Sequence, residues 1–281
     1  MKNGRLVNLL LWQADQQLES GRLMDDFEIL AHRLRNAYSG ACIPPMRDLL
    51  DPTDADGAYA VQAVNTEYWV TQGRKIVGRK VGLTAKAVQE QLGVGQPDFG
   101  VLFDDMEISD GGILEASRVI QPKAEAEIAL ILGSDLPNHA VDRETVAAAT
   151  AQAVAAIEIV DSRIADWKIT FADTVADNGS SAMYVLGSER RPLDGLDLWT
   201  CGMVMEVNGE VASLGAGAAC LGHPLEAATW LANILAERGE PLKSGDVILT
   251  GALGPMVALN PGDSVNASIG GLGSVSFSYQ E

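Results

Sequence analysis

The sequence predicts an α+β domain built on a curved, mixed sheet. Helical periodicity is concentrated in roughly the first eighty residues, and short glycine-punctuated strands follow. Strands then crowd toward the C-terminal end. The regular strand–helix alternation that marks a doubly wound sheet does not occur.

Leu6–Trp12 is apolar but short, contains Asn8 and has no small-residue cleavage site after it, so it reads as part of a helix rather than a signal peptide. Asp25–Ser39 places Phe27, Leu30, Ala31, Leu34 and Ala37 at helical spacing, and Ile43-Pro44-Pro45 breaks the pattern. A second helix is expected over Asp54–Gln72 from Ala58, Val61, Val64 and Trp69, with Asp54 as cap and Gly73 as stop. Residues 1–74 thus form an N-terminal helical region, and residues 75–281 a second, strand-rich domain. Within the latter, Lys75–Leu83 reads as strand, Thr84–Leu92 as helix and Glu125–Leu132 as strand. Arg143–Ala155 reads as an alanine-rich helix, Ala156–Ser162 as strand and Pro224–Arg238 as an amphipathic helix. Val247–Gly251, Met256–Leu259, Ser264–Ile269 and Ser274–Tyr279 complete the strands, separated by turn sequences such as Pro261-Gly262-Asp263.

With 281 residues, 47% hydrophobic and 21% charged, the chain can bury a sizeable core. A formal net charge of −18 argues against nucleic acid and anionic membranes as partners, since both need a positive footprint. An anionic substrate entering this field needs a local positive site. Cys42, Cys201 and Cys220 show no paired short spacing and fit a reducing compartment. No run approaches the ~20 apolar residues of a membrane span, so a cytoplasmic protein is expected.

In the strand PKAEAEIALIL, Glu125 and Glu127 point to one face while Ala124, Ala126, Ile128, Leu130 and Leu132 point to the other. Two carboxylates so placed can close on one hard cation, and oxygen ligands suit Mg²⁺ or Mn²⁺. The same spacing also arises on a solvated strand face. Glu158 bears on this choice, because it stands between Ile157 and Ile159 in an apolar strand where an unpartnered acid is costly. A cation shared by all three would satisfy each of them.

The runs GRKVGLTAKAVQEQLGVGQPDFGVLFDDM (Gly78–Met106), PKAEAEIAL (Pro122–Leu130), EIVDSRIADW (Glu158–Trp167), DTVADNGSS (Asp173–Ser181) and GDVILTGALGPMV (Gly245–Val257) resemble the 2-oxopent-4-enoate (2-hydroxypenta-2,4-dienoate) hydratases of the fumarylacetoacetate hydrolase superfamily. The likeness runs from about Asp25 to the C-terminus. It implies the superfamily's mixed β-roll or sandwich for residues 75–281, a homo-oligomer, and Glu125, Glu127 and Glu158 as ligands of a divalent cation. It also implies that Lys80 and Asp98 line the active site, Lys80 as a source of charge and protons and Asp98 as a group orienting water or Lys80. Read alone, Lys80 could be a surface lysine beside Arg79, and Asp98 a turn residue after Pro97. The implied reaction hydrates a small anionic 2-hydroxydienoate, or its 2-oxoenoate tautomer, to a 4-hydroxy-2-oxoacid, in meta-cleavage catabolism of aromatic compounds.

Asn178 and Ser180 are implied to approach the substrate, and Thr250 and Gly251 to offer hydroxyl and backbone donors to its carboxylate. Arg163 is placed either on that carboxylate or in a pair with Asp161 or Asp166. Carbon–carbon hydrolysis needs a histidine–carboxylate pair, which His32, His139 and His223 are poorly placed to supply. His223-Pro224 reads as a helix start. The rival activity is a metal-dependent 4-oxalocrotonate-type decarboxylase. A non-catalytic partner subunit ranks last, because it predicts a broken ligand set.

Overall fold

A computed structural model of the chain describes residues 26–86, 89–90 and 93–281. The segment Leu6–Trp12 lies outside them. Helix α1, residues 26–37, buries Leu30, Ala31, Leu34 and Ala37. Helix α2, Ala55–Thr71, starts where the Asp54 carboxylate accepts the Gly57 N–H at 2.9 Å. That bond satisfies one of the donors a helix start leaves free. Asp54→Ala is expected to cost about 1 kcal/mol, read as a lower urea midpoint at unchanged slope.

The strands are β1 (Ile76–Gly82), β2 (Asp98–Phe103), β3 (Glu107–Ile108), β4 (Gly112–Glu115), β5 (Lys123–Leu132), β6 (Thr150–Val160) and β7 (Ser181–Arg191), followed by β8 (Gly202–Val207), β9 (Glu210–Ala216), β10 (Val247–Ala252), β11 (Val257–Ala258), β12 (Ser264–Ile269) and β13 (Gly273–Gln280). Between them lie α3 (Arg143–Ala149), α4 (Phe171–Ala176) and α5 (Pro224–Glu237). An eight-stranded sheet runs β2-β1-β10-β5-β6-β7-β3 with β11 also paired to β5, and a five-stranded sheet runs β4-β13-β12-β8-β9. Both sheets mix parallel and antiparallel pairs. Strands β12 and β13 pack across β6 and β7, and α1 and α2 share the resulting core.

Strands β5 and β6 are central and covered on both faces, which is why they read as nearly continuous apolar runs. The helix expected over Arg143–Ala155 ends at Ala149, and the strand expected from Ala156 begins at Thr150. Pairing with β5 extends from Leu132↔Thr150 to Lys123↔Val160, and Ala153 and Ala155 are fully buried in it. Alanine's helix preference, less than about 1 kcal/mol per residue, is outweighed by a complete ladder and by close packing of small side chains. Of the helix expected over Thr84–Leu92, Thr84 and Ala85 are non-helical, Lys86, Gln89 and Glu90 are helical, and the remainder lies outside the described residues. Helix α5 is capped by the His223 ring, whose Nδ1 accepts the Leu225 N–H at 3.0 Å, with Pro224 supplying a first-turn residue that needs no N–H partner. No described helix is long and apolar enough to cross a membrane.

Candidate metal centre and active site

Glu125 and Glu127 are two residues apart on β5 and share a face. Glu158 lies directly opposite Glu125 on β6, so its side chain leaves the sheet on that same face. The three residues offer carboxylate oxygens within 4.8 Å of one another. Glu127 and Glu158 are fully buried and Glu125 partly so. Glu127 Oε2 accepts the Gly251 N–H at 2.8 Å, but Glu127 Oε1 and both Glu158 oxygens have no hydrogen-bond partner. Burial, and then the neighbouring Glu158, push the Glu125 carboxyl up to about 7. Burial first, then Glu158 and Glu125, raise Glu127 well above the usual carboxylate range. Burial also raises Glu158, against the pull of Lys80. Buried acids with orphaned oxygens are costly unless protonated or bound to a cation. An all-oxygen donor set converging on one point fits a hard divalent cation.

Lys80 is central in β1, between Gly100 of β2 and Leu249 of β10, and is only 3% exposed. Its Nζ donates to the Gly179 carbonyl at 3.0 Å and lies 3.4 Å from Glu158 Oε2. Burial alone would lower its pKa, but Glu158, then Asp98, Glu125 and Glu127, outweigh that and raise it, keeping the ammonium charged. Asp98, buried and opposite Gly82 on the adjoining strand, has one carboxylate oxygen without a partner. Its pKa is raised by burial and pulled back by Lys80. A Cβ at Gly82 would collide with the Asp98 carboxylate and stand 3.0 Å from Lys80 Nζ, so a side chain there would displace both groups.

The remaining expected site residues do structural work in this geometry. Arg163 faces neither the cluster nor its expected partners Asp161 and Asp166. Its Nε donates to Asp177 Oδ1 at 2.6 Å, and its Nη2 donates to the Asp177 and Ser181 carbonyls. Asp161 instead accepts the Ile120 and Gln121 N–H groups. Asn178 uses its whole amide on Val101 of β2, accepting from the N–H and donating to the carbonyl. The Ser180 hydroxyl meets that of Thr174 at 3.0 Å. The Thr250 hydroxyl donates to the Ile128 carbonyl. Gly251 gives its N–H to Glu127. With φ at +109° and Thr84 pressed against the place of a Cβ, this position requires glycine. Sequence reasoning does not single out the Gly179 carbonyl beside Lys80 or the buried Ser181 hydroxyl, both within DTVADNGSS. Asp177 shows in that run as a polar residue, but its buried pairing with Arg163 does not. Asp177→Asn leaves the buried Arg163 charge without its partner and is expected to cost about 3–5 kcal/mol of stability in a urea titration.

A cleft of about 450 Å³ opens onto Glu125, lined by Val81, Leu83, Thr84, Ala252 and Met256 among others. Residues 76–278 match the family model described as Fumarylacetoacetate (FAA) hydrolase C-terminal. The chain belongs to that family. Within it, the chain is 55% identical over 237 residues to 2-keto-4-pentenoate hydratase 1 of Dechloromonas aromatica, covering 84% of this chain and 90% of the relative. It is 53% identical over 262 residues to the 2-keto-4-pentenoate hydratase of Burkholderia vietnamiensis, covering 92% of this chain and all (100%) of that one. Among solved structures it resembles 4-oxalocrotonate decarboxylase from Pseudomonas putida G7, complexed with magnesium and adipate. That likeness has a TM-score of 0.86 and 38% identity, covering 92% of this chain and 98% of the other. The fumarylacetoacetate hydrolase fold thus accounts for the paired mixed sheets, with the glutamates on its central strands.

Proposed function

We propose that this chain is a hydratase dependent on Mg²⁺ or Mn²⁺, adding water to 2-hydroxypenta-2,4-dienoate or a close analogue to give a 4-hydroxy-2-oxoacid. The observation that carries the proposal is the buried cluster of Glu125, Glu127 and Glu158 with its orphaned oxygens beside the Lys80 ammonium. A divalent cation held by those glutamates would supply Lewis acidity, stabilising negative charge on the substrate's C2 oxygen.

The remaining work falls to the chain's own groups. Lys80 presents the positive charge that an anionic substrate needs in a chain of net charge −18. Its Nζ, kept protonated by the surrounding carboxylates and aimed by the Gly179 carbonyl, is the acid available to protonate carbon. Asp98, on the adjoining strand, adds to the negative field that keeps Lys80 charged. In the net change, the enol O–H proton is lost as C5 is protonated, water adds at C4 and C3 takes a proton. One water is gained and no covalent enzyme intermediate is required. None of the three histidines is positioned as a hydrolytic base: His223 caps α5, His32 meets Asn36 and His139 meets the Ala140 carbonyl.

Decarboxylation of a 2-oxo-3-enedioate is the second reading, motivated by the 38% identity to the decarboxylase. The 55% and 53% identities favour hydration. Chelator-stripped protein is mixed with freshly generated 2-hydroxypenta-2,4-dienoate, and the dienol absorbance is followed before and after Mg²⁺ or Mn²⁺ is added. Cation-restored formation of 4-hydroxy-2-oxopentanoate is expected. Inactivity with both ions, together with carbon dioxide release from the enedioate, would overturn the hydratase reading in favour of the second.

A further inference from the structure

The cleft wall beyond the glutamates has a chemistry of its own. Leu83 follows β1, Ala252 ends β10, and Pro255 and Met256 lie between β10 and β11. Glu125 is the charged residue on the described lining, and no lysine, arginine or histidine occurs there among the described residues. Lys80 is not among the lining residues of this cleft and is engaged with Gly179 and Glu158. The wall is also fixed in place. Ser213 Oγ donates to the Pro255 carbonyl at 2.8 Å, and the Ala216 N–H donates to the Leu253 carbonyl at 3.0 Å, tying the segment to β9.

We propose that Leu83, Ala252, Pro255 and Met256 form the specificity-determining wall for the substrate tail, admitting neutral alkyl termini and rejecting a second carboxylate. This rests on the hydratase reading above, which places the 2-oxo carboxylate head at the glutamates and leaves the far end of a short chain against the wall. An alkyl terminus buried there is stabilised by every methylene it removes from water. A terminal carboxylate there gives up water and finds no cationic side chain among the described lining residues to replace it. Met256 is 43% exposed at the mouth, so it can exchange conformers to follow tails of different length.

Two unreactive probes of equal length, 2-oxohexanoate and 2-oxohexanedioate, separate head from tail recognition. Calorimetric titration of Mg²⁺-loaded protein should show the alkyl acid binding tighter by about tenfold or more. Met256→Arg should erase or reverse that preference. Val211→Arg adds the same charge on exposed β9, outside the described cleft lining, and should preserve it. Equal or tighter binding of the dioate by the unmodified protein overturns the wall while leaving the hydratase reading standing, because both heads bind. Failure of both probes to bind removes the hydratase reading and the wall with it. An unchanged preference in Met256→Arg, or an equal shift in Val211→Arg, shows that the discrimination does not come from the wall and overturns it as well.

Discussion

Glu127→Gln is expected to lower turnover of the dienoate by at least about 10³-fold, the loss of several kcal/mol of charge stabilisation. It is also expected to weaken divalent-cation affinity by more than about 100-fold, a larger loss than removal of a group that only supports a ligand would cause. The substitution is conservative in shape. The glutamine amide oxygen can still accept the Gly251 N–H that Glu127 Oε2 accepts now, so the strand and its turn keep their bond. What disappears is one negative charge from a fully buried site shared with Glu125 and Glu158. In chelator at pH 7.5 the variant should therefore be more stable than the unmodified protein, a sign opposite to its effect on activity. The unmodified protein should show a matching pH dependence. Glu125 lies at about 7 in the fold against an ordinary 4.5, so the folded state binds its proton more tightly than the unfolded chain does. Its contribution without metal is thus greatest below about 4.5, falls as pH rises toward 7 and is flat above. Saturating Mg²⁺ should offset much of that loss, because the bound form of the site is the ionised one. Urea midpoints from pH 5 to 8, with and without Mg²⁺, test both signs. Equal midpoints for variant and unmodified protein in chelator would mean that the cluster carries no strain from its charges.

Most of the fold is legible in the sequence wherever an element announces itself locally. Asp54 opens α2 and His223-Pro224 opens α5 at the expected positions. The central strand that carries Glu125 and Glu127 shows as an apolar run, and within such runs a lone acid such as Glu158 is conspicuous. What local pattern does not reveal is register. Ala153 and Ala155 belong to a strand because β5 lies beside them, a long-range pairing that alanine's helix preference conceals. The same limit applies at the site. Gly251 holds Glu127 across a separation of 124 residues, and Asn178 serves Val101 across 77. Polar residues near a motif look like ligand contacts until their hydrogen bonds have been accounted for. Arg163 shows this well: its charge suggests a carboxylate in the substrate, whereas its partner is Asp177, 14 residues along the chain.

Lys80→Met should separate proton chemistry from metal binding, since it removes the ammonium while keeping a side chain of similar length. Turnover is expected to fall by about 10²–10⁴-fold, the range for a positioned general acid or base. Cation affinity should hold or rise. The Nζ lies 3.4 Å from Glu158 Oε2 and draws on the same carboxylates that would hold the metal, so the two positive charges repel each other in a buried site. Lys80→Arg should not rescue turnover despite keeping the charge. The planar guanidinium is larger, and Gly82, Gly100 and Gly179 bring strand and loop backbone close around the lysine stem and head. Glu127→Gln and Lys80→Met would then both be inactive for opposite reasons, one unable to hold the cation and the other holding it without the acid. Calorimetry with Mn²⁺ on each variant distinguishes them. Loss of Mn²⁺ binding in Lys80→Met would mean that the lysine shapes the glutamate cluster rather than serving the substrate.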